Sequence, residues 1–98
     1  MNRPTSPQKQ ILDKLLYPEP FENIQEETGL DYGILRDELI SLINYGYVVA
    51  YESDGGSEAN IHFYDNDNLH LFTFKATKLG LTALRMPTQA SDTKNQEG

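Results

Sequence analysis

The chain has 98 residues and no cysteine, and it carries a net charge of −7 from 15 acidic and 8 basic residues. This length suits one domain that can bury a core without staples, and the lack of cysteine excludes disulfides, thiolate metal sites and a cysteine nucleophile. No apolar run reaches the roughly 18 residues of a membrane span, and no apolar segment near the start suggests a signal peptide, so we expect a cytoplasmic protein without a membrane partner.

The first predicted helix begins in the segment Thr5-Ser6-Pro7. We expect Ser6 to cap free backbone N–H groups and Pro7 to lie at the first helical position, where its missing N–H costs nothing. Residues 1–6 are accordingly predicted to be a flexible terminus. The helix carries one apolar stripe, formed by Ile11, Leu12, Leu15 and Leu16. The proline-rich run 17–20 ends it, because proline disfavours a helical conformation in the residue before it.

Two further helices are predicted on either side of a glycine turn. The second helix covers 21–28 and ends at Gly29, and the third begins after Asp31, a good N-cap residue, and ends at Gly46. At about 100° per residue, one face of the third helix is apolar. Its members are Leu35, Leu39, Leu42 and Ile43.

Beyond Gly46 the apolar pattern changes to a period of two, and β-branched and aromatic residues become frequent. Such a pattern predicts strands separated by segments rich in Gly, Asn and Asp. The predicted strands are 47–52, 61–64 and 69–74, with a loop over 53–60 and a turn over 65–68.

A last helix is predicted to begin after Thr77, which can cap it, and to run to about Arg85. It carries Leu79, Leu81 and Leu84, and Pro87 stops it. The domain therefore spans 7–86. No large apolar residue occurs from Thr88 onward, and the segment 87–98 is predicted to be a disordered tail.

Two groups of residues carry a resemblance to a known family. The first is Ile24-Gln25-Glu26-Glu27-Thr28-Gly29-Leu30 with the later leucine series and Gly46-Tyr47-Val48; the second is Thr77-Lys78-Leu79-Gly80 with Leu84. Over about 8–86 the chain resembles the winged helix-turn-helix domains of bacterial and archaeal transcription regulators. The resemblance implies an α+β fold with a three-helix core, a small antiparallel sheet or wing, and a C-terminal helix. In DNA-binding relatives the exposed face of the third helix enters the major groove.

The predicted exposed face of the third helix is poorly suited to DNA. It consists of Gly33, Ile34, Arg36, Asp37, Ile40, Ser41 and Asn44. Only Arg36 and Asn44 are of the types that favour base edges. The stretch 19–45 has seven acids against one base, a net charge of −6. Such a surface repels phosphates, whose neutralisation supplies most non-specific DNA affinity.

Two alternatives for a partner remain open at this point. Lys75, Lys78 and Arg85 around the last helix could form a nucleic-acid patch, or they could be ordinary solvated side chains. Ile34 and Ile40 could form a protein contact, because exposed apolar groups among polar ones suit one, or a neighbouring element could cover each of them. We expect a non-catalytic winged helix module that is homodimeric or binds another protein, with DNA binding electrostatically disfavoured.

No metal, cofactor or catalytic group is expected. His62 and His70 flank the turn, but a structural zinc site needs four ligands. A calcium loop counted from Asp65 would need glycine and glutamate at its sixth and twelfth positions, where the chain has His70 and Ala76. No phosphate-binding glycine loop and no Ser/His/Asp arrangement can be assigned, so the sequence predicts a binding module and not an enzyme.

Overall fold

The computed structural model describes residues 2–52, 58–59 and 68–88 of the chain. This part forms a small α+β fold with four helices packed against one antiparallel sheet. In chain order the elements are α1 (Ser6–Asp13), β1 (Glu19–Pro20), α2 (Phe21–Thr28), α3 (Tyr32–Asn44), β2 (Val48–Glu52), β3 (Glu58–Ala59), β4 (Phe72–Ala76) and α4 (Lys78–Leu84). The strand order in the sheet is β1-β4-β2-β3, and each neighbouring pair runs antiparallel.

Helix α1 begins one residue earlier than predicted, and its cap is Thr5 and not Ser6. The Thr5 hydroxyl oxygen accepts from the Gln8 backbone N–H at 3.3 Å, and the Gln8 side-chain oxygen accepts from the Thr5 N–H at 2.9 Å. This reciprocal pair satisfies two otherwise free donors, which a serine one position later cannot do. Before the helix, Pro4 is fully buried and the Asn2 carbonyl accepts from the Tyr47 hydroxyl at 2.6 Å, so residues 2–5 pack against the domain.

The end of α1 differs from the prediction of a helix that includes Leu16. The helix ends at Asp13, and the next two leucines separate, because Leu15 is fully buried while Leu16 is exposed. The Leu15 carbonyl accepts from the Ala76 N–H at 2.9 Å, which ties this turn to the end of β4. The helix therefore ends before the run 17–20 that was predicted to end it, and this run instead supplies β1, which the sequence pattern did not indicate.

The two central helices agree closely with the sequence. Helix α2 covers the predicted residues, and Asp31 takes the N-cap position of α3, although its side chain makes no capping hydrogen bond. Gly29 and Gly46 follow the ends of the two helices with φ of 71° and 81°, a left-handed conformation that favours glycine. The predicted apolar face of α3 is confirmed by three fully buried side chains: Leu35, Leu39 and Leu42.

The sheet departs furthest from the prediction. Residues 68–71 form a 3₁₀ turn, so that β4 begins at Phe72 and not at Leu69. In a 3₁₀ turn residues three apart share a face, which lets Leu69 be buried without an extended backbone. Strand β3 lies inside the predicted loop 53–60 and pairs with β2. The predicted strand 61–64, the turn residues 65–67 and the tail residues 89–98 lie outside the described part of the chain.

The link between α3 and α4 joins two motifs that are 31 residues apart. The Thr77 hydroxyl donates to the Gly46 carbonyl at 2.6 Å and accepts from the Gly80 N–H at 3.0 Å. The Thr77 N–H donates to the Tyr47 carbonyl at 2.9 Å. Thr77 therefore caps α4, as predicted, and also fixes the start of α4 against the chain that leaves α3.

Candidate interaction surfaces

The outer side of α3 was predicted to be the recognition face, and the structure sorts its residues by exposure. Ile34, Asp37 and Asn44 are exposed. Gly33, Arg36, Ile40 and Ser41 are half-buried. Less side-chain surface is therefore available on this side of α3 than the helical pattern indicated.

Arg36, the single base on α3, is held along its own helix. Its Nε lies 3.0 Å from the Asp37 carboxylate, and its guanidinium carbon lies 5.7 Å from the centre of the Tyr32 ring. The Tyr32 ring in turn packs at 5.4 Å against the ring of Phe21. Because an ion pair and an aromatic ring both orient the guanidinium, Arg36 does not present a free charge to a phosphate.

Only one of the two isoleucines on the outer side of α3 is exposed. Ile34 is 45% exposed, whereas Ile40 is half-buried and packs against the core. Six residues at about 100° each place the two side chains about 120° apart around the helix. Of the two alternatives that the sequence left open, Ile40 follows the second, because neighbouring elements partly cover it, and Ile34 remains exposed on α3.

A buried polar contact joins α3 to α1. Gln8 is 4% exposed, and its side-chain NH₂ donates to a Glu38 carboxylate oxygen at 2.7 Å. Its side-chain oxygen is already used by the Thr5 N–H in the cap. Sequence reasoning missed this glutamine, and the only available signal was its place three residues after the threonine of the capping box.

The outer side of α2 is acidic without compensation. Glu22, Glu26 and Glu27 are exposed, and none of them pairs with a base. Across residues 2–52, 58–59 and 68–88 the only ion pair is that between Arg36 and Asp37. The net charge of −6 over 19–45 therefore stands as an unneutralised surface of α2 and α3.

The predicted basic patch lies in a different part of the fold. Lys78 and Arg85 are exposed, and seven residues of helical spacing place them on the same side of α4. Lys75 is half-buried on β4, between the buried residues Phe74 and Ala76. It therefore lies on the opposite face of the sheet from the core. The whole stretch 68–88 contains three bases and no acid.

Among the described residues, the large apolar side chains that are exposed belong to several different segments. They are Leu16, Tyr17, Tyr32, Ile34, Tyr45, Leu71 and Leu79. Leu79, one of the three leucines of the last helix, is 46% exposed. It lies over Gly46, where an added Cβ would be 3.8 Å from its Cδ2. Tyr45, on the other side of Gly46, packs its ring at 5.5 Å against Tyr47.

Within the described ranges, no three His, Cys, Asp or Glu side chains gather closely enough to hold a metal ion. His70 is exposed, and its suggested partner His62 lies outside those ranges. None of the described helices has the length and apolar character needed to cross a bilayer.

Comparisons with protein families, with curated proteins and with solved structures found no match to this chain. The case for a function therefore depends on the surfaces described above.

Proposed function

We propose that the chain is a non-catalytic winged helix module of the transcription-regulator type that acts by binding protein, in the first place a second copy of itself. The order of elements supports the fold. A short strand follows the first helix, and two longer strands follow the third helix and precede the last one. β1 pairs with β4, which pairs with β2, so a small sheet closes beside the three-helix core.

The charge of α3 and the contacts of its one base favour a protein partner over DNA. In a winged helix that reads DNA, this helix would enter the major groove. Here its one base, Arg36, is bound to Asp37 and lies over Tyr32. Phosphates would have to approach a surface of net charge −6, which opposes the electrostatic part of DNA binding.

Exposed apolar and aromatic side chains support self-association. Ile34 lies on α3 among polar residues, and Tyr17, Tyr32 and Tyr45 are exposed. Tyrosine is enriched at protein interfaces. Burying one aliphatic side chain is worth roughly 1.5–3 kcal/mol, and a two-fold axis uses each residue twice, so a few such groups can stabilise a dimer.

The test is the solution mass of the wild-type protein by light scattering and sedimentation equilibrium, with and without random-sequence duplex DNA. We expect a dimer at high protein concentration and no added mass from DNA. The Ile34→Asp variant should associate about tenfold or more weakly, because an interface anchor is replaced by a charge. Gln10→Asp is the matched control, since it adds the same charge at an exposed position on α1. A monomer at every concentration contradicts the proposal.

A second candidate function is favoured by the base-rich stretch 68–88. Lys75, Lys78 and Arg85 have no acid near them in sequence, and none of them forms an ion pair with another residue that the structure describes. They could contact nucleic acid by a route that does not use α3. In the same measurement, submicromolar binding to duplex DNA at physiological salt would replace the protein-binding proposal with this one.

A further inference from the structure

Charges of opposite sign are concentrated in two separate groups of elements, apart from the acids Glu52 on β2 and Glu58 on β3. The acidic half consists of β1, α2 and α3, where residues 19–45 carry seven acids and one base. The basic half consists of 2–16 and 68–88, which contain α1, β4 and α4 and carry six bases and one acid. The two halves have net charges of −6 and +5. The surfaces of soluble domains usually intersperse the two signs, so this separation needs an explanation.

Within the described residues, the charges of one half do not form ion pairs with those of the other half. Arg36–Asp37 is the single ion pair across the described ranges, and it lies wholly within the acidic half. Within the described part of the chain, the exposed bases Lys78 and Arg85 form no ion pair with an acid, and the exposed acids Glu26 and Glu27 form none with a base. Each half therefore presents free charge to the surroundings.

The boundary between the halves runs through the helical layer and the sheet. In the helical layer α1 of the basic half packs against α2 and α3 of the acidic half, and in the sheet β1 of the acidic half pairs with β4 of the basic half. Each half also exposes an apolar side chain. Ile34 lies in the acidic half and Leu79 lies in the basic half.

We propose that a second copy of the chain docks across this boundary, with the acidic half of each copy against the basic half of the other. This orientation depends on the self-association proposed above and specifies its geometry. A two-fold axis makes both acid–base contacts at once and closes the dimer, whereas a head-to-tail contact would leave one charged half free at each end. Complementary potentials of this kind fix orientation and exclude the alternative of like against like.

The test uses two charge-reversed proteins at surface positions. One carries Glu26→Lys and Glu27→Lys in the acidic half, and the other carries Lys78→Glu and Arg85→Glu in the basic half. Each protein alone should associate about tenfold or more weakly than wild type, because the substitutions change the net charge of the acidic half from −6 to −2 or that of the basic half from +5 to +1, which weakens the attraction at both contacts. An equimolar mixture should recover part of the association, since the unchanged halves face each other at one contact and the introduced lysines face the introduced glutamates at the other.

Net charge alone predicts a different result, which makes the experiment decisive. The first protein has a smaller net negative charge than wild type and should associate more strongly if general repulsion governs. Sedimentation equilibrium of wild type, of each variant, of the mixture and of a Glu52→Lys control on β2 separates these cases. Wild-type dimers with variants that dimerise equally well, or a mixture that fails to recover, would overturn the orientation but leave self-association intact. A monomeric wild type would overturn both proposals.

Discussion

The inner and outer sides of α3 differ in how well helical spacing predicts the burial of their side chains. On the inner side Leu35, Leu39 and Leu42 are fully buried, and their spacing alone placed them there. On the outer side Ile34 and Asp37 are exposed while other residues are half-covered, and spacing did not separate these cases. Helical periodicity decides which side of a helix is apolar. It does not decide how far neighbouring elements cover the margins of the other side.

This difference separates stability from recognition within one helix. The inner side holds the fold together and tolerates little change, because cores are close-packed. The outer side is where partners are met, so its substitutions should alter association and leave folding nearly intact. Paired substitutions, one on each side, test that division directly.

The largest effect is expected from Leu39→Ala, which removes a fully buried side chain and leaves a cavity. The free energy of unfolding should fall by about 2–5 kcal/mol, measured by urea denaturation. Ile34→Ala on the same helix is the control and should change the free energy by no more than about 0.5 kcal/mol. Equal effects of the two substitutions would mean that α3 is oriented differently from the structure.

Two helical glycines extend the comparison. A Cβ on Gly80 would overlap the Tyr47 carbonyl oxygen and lie 2.9 Å from its carbon, whereas a Cβ on Gly33 would meet only an Arg36 side-chain nitrogen at 3.8 Å. We expect Gly80→Ala to lower the free energy of unfolding by about 1–3 kcal/mol, since backbone atoms must shift. Gly33→Ala should raise it by about 0.4–1 kcal/mol, because alanine reduces the entropy of the unfolded chain.

Thermal melting of the two glycine variants checks the expectation, because the shifts in midpoint should have opposite signs. A Gly80→Ala protein that melts like wild type would show that α4 does not approach Tyr47 this closely.

A smaller effect is expected from Gln8→Ala, which removes the hydrogen bonds to the Thr5 N–H and to Glu38. The free energy of unfolding should fall by about 1–2 kcal/mol, since a buried cap donor loses its partner. Gln10→Ala, an exposed neighbour on α1, is the matched control and should be nearly neutral. If both variants unfold at the same urea concentration, the link between α1 and α3 contributes nothing to stability.

The limits of sequence reasoning appear most clearly in the sheet. Alternation of apolar residues indicated a strand starting at Leu69, but the same residue is buried by a 3₁₀ turn. Both arrangements place an apolar side chain toward the core at this position, so periodicity over so few residues does not separate them. β1 was missed for a related reason. A strand of two residues that contains Pro20 and follows Pro18 has no strand pattern, and it pairs only with β4.

The candidate surfaces were predicted in composition but not in arrangement. The acidic character of α2 and α3 and the bases of the last helix can be counted from the sequence. The engagement of Arg36 with Tyr32 and Asp37, the covering of Ile40, and the exposure of Leu79 depend on which elements pack beside each side chain. The partners of Arg36 lie within four residues on the same helix, but the elements that cover Ile40 or leave Leu79 exposed are distant in the chain, and no local pattern encodes them.

The sequence by itself determined the places of the helices, the ends of α2 and α3 and the buried side of α3, because capping, left-handed glycines and helical spacing act within a few residues. It also determined the separation of charge along the chain. The tertiary structure alone decided that Thr77 and Gly80 meet Gly46 and Tyr47, and that α1 and β4 of the basic half contact the elements of the acidic half. Contacts across such distances are selected by packing of the whole core, which fixes which surfaces become neighbours and which remain free for a partner.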